Sequence, residues 1–143
     1  MSNMLHQNVI HLLNQRTRLI AKEMNQRLKT HDLYSSQWSI IYCIDRFGPM
    51  TQTAVWKYLN VEAPTVTRTL SRMEKSGWVI RKEGDDKRER VIELTAHAKQ
   101  QLRSVRETID QLENELLAGL SQAEKEQLHT LLGKIKTSGA NEN

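Results

Sequence analysis

Apolar residues near the N-terminus of this chain recur on one face of a helix, and that spacing limits the folds open to it. Leu5, Val9, Leu12, Leu13, Ile20, Met24 and Leu28 fall largely at three- and four-residue steps. The pattern predicts one long amphipathic helix over about residues 4–30. A stripe of that length has to be covered by other long helices, in the same chain or in a partner.

The C-terminal part supplies helices of the same kind. Thr95 is placed to cap a helix in which Leu102, Val105, Ile109, Leu112 and Leu116 step by three and four, a heptad seam. Ser121 and Glu124 form a capping box. It opens a last helix carrying Leu128, Leu131, Leu132 and Ile135. With 143 residues, 38% hydrophobic and 27% charged, the chain suits one domain or one compact subunit. The apolar faces of its terminal helices and the heptad seam exceed what a single subunit can bury. A homodimer is therefore expected, with residues 1–31 and 96–138 as its dimerisation helices and 139–143 as a flexible tail.

The middle of the chain, residues 35–95, is built from shorter pieces. Ser35 or Ser36 can cap a second helix bearing Trp38, Ile40, Ile41, Ile44 and Phe47, ended by Gly48-Pro49. Thr51 can cap a short third helix, TQTAVWKYL. Asn60-Val61 is a tight turn, because asparagine tolerates left-handed backbone. Pro64 suits a first helical turn, so APTVTRTLSRMEKS is a fourth helix, closed by Gly77. WVIRKE and RVIEL are short strands on either side of a charged tip, Gly84 to Glu89. Two helices joined by a short turn and followed by a hairpin make a winged helix-turn-helix. The fold class is thus mainly α with a small β-hairpin wing.

In such modules the second helix of the pair lies in the DNA major groove. On that helix Val66, Leu70 and Met73 form the buried stripe, and Thr65, Thr67 and Arg68 sit on the other face with Arg72 one turn on. Arginine can fork onto guanine, and threonine can donate to bases or touch a thymine methyl. The same residues could simply solvate a helix. The tip admits the same choice. A charge run is ordinarily a solvated turn. At wing position, however, Lys87 and Arg88 are placed to enter a minor groove whose potential is negative. Asp85 and Asp86 are expected to form the turn, with Asp86 orienting an arginine.

The excess of basic over acidic residues, net charge +4, is compatible with a nucleic-acid partner. It lies upstream of residue 96, where 15 Lys/Arg face 10 Asp/Glu. Cys43 is the single cysteine, so no intrachain disulfide forms and a cytoplasmic setting is expected. The N-terminal stretch has a helix pattern and not that of a signal peptide, and no apolar run approaches a membrane span. The five histidines show no metal-ligand grouping, and no nucleophile motif or Gly-rich phosphate loop occurs. Neither an enzyme activity, a metal nor a cofactor is expected.

VEAPTVTRTLSRMEKSGWVIRK followed by DDKRERVIELT resembles the MarR family of bacterial transcriptional regulators. The likeness covers nearly the whole chain. Its most specific part is the D-x-R wing, Asp86-Lys87-Arg88, with Leu94-Thr95 closing the second strand. The resemblance implies a homodimer with interlocked first and last helices, bound to pseudo-palindromic double-stranded DNA. Pro64, Thr65, Thr67 and Arg68 would face bases or backbone, and Arg88 would be the wing-tip arginine. It also implies a small aromatic or anionic effector in a crevice between the dimer helices and the DNA-binding lobe, for which His11, Arg16, Trp38 and Tyr42 are candidates. Trp56, Asn60 and Ala98 depart from the alanine, glycine and glycine usual at those positions. A winged-helix module that binds protein, and a repressor sensing oxidants through Cys43, are the alternatives.

Overall fold

The computed structural model describes the backbone of residues 2–86 and 88–138, and side chains from residue 4 onward. Lys87 and the tail 139–143 lie outside the described residues. The elements are α1 (Ser2–Leu28), a 3-10 turn (Lys29–His31), α2 (Ser35–Phe47), β1 (Met50–Thr51), α3 (Gln52–Leu59), α4 (Ala63–Lys75), β2 (Val79–Glu83), β3 (Arg90–Leu94), α5 (Ala96–Leu116) and α6 (Gln122–Gly133). Mainly helical structure with a winged helix-turn-helix at its centre is as expected.

Local chemistry accounts for most boundaries. Thr51, Thr95 and Ser121 each accept from the amide three residues on, at 3.0–3.1 Å, and start α3, α5 and α6. Asn60 closes α3 in the left-handed region with φ 57°. Gly77 ends α4 at φ 84°, where the Trp78 amide donates to the Met73 carbonyl at 2.8 Å. The start of α2 differs from expectation. Its N-cap is Tyr34, not a serine, and the Ser35 amide donates to Asn25 Oδ1 on α1 at 2.7 Å.

The sheet has one strand more than a hairpin. β3 lies between β2 and the two-residue β1, all antiparallel, in the order β1-β3-β2. The core is Trp38, Ile41 and Ile44 of α2, Val55 of α3, Val66, Leu70 and Met73 of α4, Val79, Ile92 and Leu94 of the sheet, and Ala98, Val105 and Ile109 of α5. One expectation is overturned here. The α5 seam needs no second subunit, because Val105, Ile109 and Leu112 are buried within this chain, where α5 packs along α1. The outer part of α1 and all of α6 are different. Met4, Leu5, Val9, Ile10 and Leu12 are exposed, as are Leu128, Leu131, Leu132 and Ile135.

Candidate nucleic-acid interface

The exposed face of α4 follows from its amphipathicity. Burial of Val66, Leu70 and Met73 against α2 and the sheet turns Pro64, Thr65, Thr67, Arg68 and Arg72 outward, and all five are exposed. The turn before α4 fixes where this face begins. Asn60 takes the left-handed conformation, the Val61 amide donates to the Trp56 carbonyl at 3.1 Å, and Pro64 sits in the first turn of α4. Trp56 is half-buried against the core with the Lys57 ammonium 5.7 Å from its ring centroid.

The outward hydroxyls are not all free. Thr67, Thr69 and Ser71 donate to the carbonyls four residues back, at 2.9–3.0 Å. Thr67 Oγ1 also accepts from Gln52 Nε2 at 2.6 Å, which ties α4 to the start of α3. Ser71 Oγ accepts from Arg81 Nη2 at 3.0 Å, and Arg81 also reaches both carboxylate oxygens of Glu74, at 3.3–3.4 Å. A polar chain thus runs along α4, from Gln52 at one end to the wing strand β2 at the other. Neither Gln52 nor Arg81 stood out in the sequence as a site residue. For Arg81 a signal existed, since period-two alternation puts it on the same face of β2 as buried Val79.

At the wing, the Glu89 amide donates to the Asp86 carbonyl at 2.9 Å, and the Arg88 amide donates to Asp86 Oδ1 at 3.0 Å. Asp86 therefore shapes the tip through the backbone of Arg88, whose side chain is exposed. Lys82 of β2 is paired with Glu93 of β3 at 2.9 Å.

The four candidate effector residues do not converge. Trp38, buried, and Tyr42, half-buried, lie together on α2 with ring centroids 6.4 Å apart. His11 lines an open hollow of α1 residues with His6, Ile10 and Asn14, which the other three do not line. Arg16 is exposed on α1. Cys43 is fully buried, and burial pushes its thiol up, opposed by a hydrogen bond to its backbone. That favours the unreactive protonated form. Among the described residues no helix is long and apolar enough to cross a membrane.

The model of the MarR family matches residues 33–89. An HTH-type transcriptional regulator of Bacillus subtilis, YwoH, is 48% identical over 122 residues, covering 85% of this chain and 89% of its own. AbfR, solved in reduced form bound to DNA, is 26% identical with a TM-score of 0.77, and the match covers 93% of this chain and 92% of that one. A cysteine-to-serine mutant of MarR from E. coli, solved with operator DNA, is 26% identical with a TM-score of 0.78 over 92% and 93% of the two chains.

Proposed function

The chain belongs to the MarR family of transcriptional regulators, and from that membership we propose that it acts in the cytoplasm as a homodimeric repressor on pseudo-palindromic DNA. The observation that carries this is the sidedness of α4. One stripe is buried, and the other presents Thr65 and Arg68 near the N-terminus of the helix, where phosphate is favoured, with Arg72 exposed in its last turn. Arg88, exposed at the wing tip, has the position and charge for an adjacent minor groove. Two of the structural relatives are solved bound to DNA, which supports DNA as the partner.

Dimerisation is supported by the exposed apolar residues of α1 and α6, more than a subunit of this size ordinarily leaves to water. Charge favours the same pairing. Residues 1–22 contain Arg16, Arg18 and Lys22 and no acidic residue, whereas the end of α5 carries Asp110, Glu113 and Glu115, the last paired with Arg27 of the same chain, and α6 carries Glu124 and Glu126 with Lys125 between them. Release by a small aromatic or anionic molecule is the remaining part of the proposal; of its candidate residues, Trp38 and Tyr42 stand together on α2, with Trp38 buried in the core. Burial of Cys43 speaks against the thiol-sensing alternative.

Fluorescence anisotropy of the full chain on labelled duplex tests this. Affinity should fall steeply with salt, as released counterions require. Arg88→Ala should flatten that dependence, and Arg68→Ala should cost about 1–3 kcal/mol at one base position per half-site. Aromatic carboxylates up to millimolar concentration should release the duplex. No duplex binding would contradict the proposal, and binding that ignores such ligands would remove its effector clause.

A further inference from the structure

The Gln52–Thr67 contact has a direction. Thr67 donates its only hydroxyl proton to the Ala63 carbonyl at 3.0 Å, so toward Gln52 its oxygen can only accept. The Gln52 atom facing it, 2.6 Å away, is therefore the amide NH2 group. That leaves the second Nε2–H and the Oε1 carbonyl of Gln52 without a hydrogen-bond partner among the described residues. Gln52 is the first residue of α3 and half-buried, and Thr67 is exposed one turn into α4.

We infer that Gln52 is a specificity-determining residue for the DNA-binding function proposed above, and that Thr67 is the residue that positions it. The Thr67 hydroxyl has spent its proton inside the protein and has none to offer a base. The tethered amide still has one N–H and its carbonyl to offer, the donor and acceptor types that complement adenine N7 and N6 in the major groove. A glutamine free in solution loses rotamer entropy when it binds. The bond to Thr67 removes that freedom before DNA arrives, so more of the contact energy remains for discrimination.

Selection from a random duplex pool, with the full-length parent and with Gln52→Ala, Gln52→Glu and Thr67→Val, tests this. Affinities on single-base variants of the preferred duplex complete it. The parent should favour adenine at one position in each half-site by about 5- to 150-fold, the range of a bidentate base contact. Gln52→Ala should flatten that position. Gln52→Glu should move the preference to cytosine, because a carboxylate accepts from its N4 amino group. Thr67→Val should weaken the preference without moving it. Gln52→Asn, which keeps the amide and shortens its reach, should also lose it, and covers the case of an alanine variant that folds poorly. Gln52 variants that lower affinity evenly and keep the parent's preference at every position would overturn the inference and leave Gln52 a strut or a phosphate contact. A parent that binds all duplexes alike would overturn the DNA-reading proposal itself, and this inference with it.

Discussion

Arg81 on β2 grips Glu74 on α4, Nε to Oε2 at 3.3 Å and Nη2 to Oε1 at 3.4 Å, while Nη2 also donates to Ser71 Oγ at 3.0 Å. The Arg81 side chain is only 17% exposed, so the contact is screened less than a surface ion pair. It fixes the angle between the helix proposed to read bases and the wing proposed to enter the minor groove. Arg81→Ala is expected to destabilise the chain by about 1–2 kcal/mol. Arg81→Lys should recover little of this, since an ammonium cannot reproduce the fork. Urea unfolding of the three proteins measures it, and a lysine variant as stable as the parent would reduce the contact to simple charge pairing.

The exposed stripes of α1 and α6 predict the assembly state. Sedimentation equilibrium at low micromolar concentration should give about twice the 16.6 kDa chain mass. Leu131→Asp, at a side chain 57% exposed in the single chain, should shift the population to monomer. A change at such a site costs an isolated subunit little. A parent that sediments as a stable folded monomer would contradict the dimer.

Cys43 should behave as an inert core residue. With the thiol fully buried and pushed toward its protonated form, native protein should label with a thiol reagent only as fast as it unfolds. Cys43→Ser should leave duplex affinity unchanged in the presence and absence of peroxide. Fast labelling of native protein, or peroxide release lost in Cys43→Ser, would restore the redox reading.

What the sequence disclosed was what local chemistry decides. Thr51, Thr95 and Ser121 cap their helices through atoms within three residues of themselves, so the residue types alone located them. β1 was not legible, because two residues carry no period and their partners, Val91 and Ile92, are about forty positions away. The start of α2 moved to Tyr34 for a similar reason, since the Ser35 amide is engaged by Asn25 of another helix. The α5 seam was visible, but its spacing could not say whether α1 of the same chain or a second subunit covers it. At the interface, the outward residues of α4 followed from its buried stripe. The Gln52–Thr67 link did not, because it joins two helices.

The capping box of α6 carries a pH dependence. The Ser121 amide and hydroxyl hold the Glu124 carboxyl below its usual value, the amide contributing most. A carboxyl lowered in the folded state adds stability above its unfolded pKa, and this is lost as pH falls through the lowered folded value. Ser121→Ala keeps the amide and removes the hydroxyl, so it should raise the Glu124 titration midpoint only part of the way toward that of a free glutamate and weaken the N-terminal turn of α6. An NMR titration of the Glu124 side chain follows this, and a parent midpoint already at that of a free glutamate would show that the box does not form in solution.

Selection of bound sequences from a random duplex pool shows whether the protein reads DNA as a symmetric dimer. Two α4 helices held by a symmetric dimer should enrich an inverted repeat whose half-site centres lie about one DNA turn apart, roughly 10 base pairs. No enrichment, or a single site without two-fold symmetry, would contradict the account.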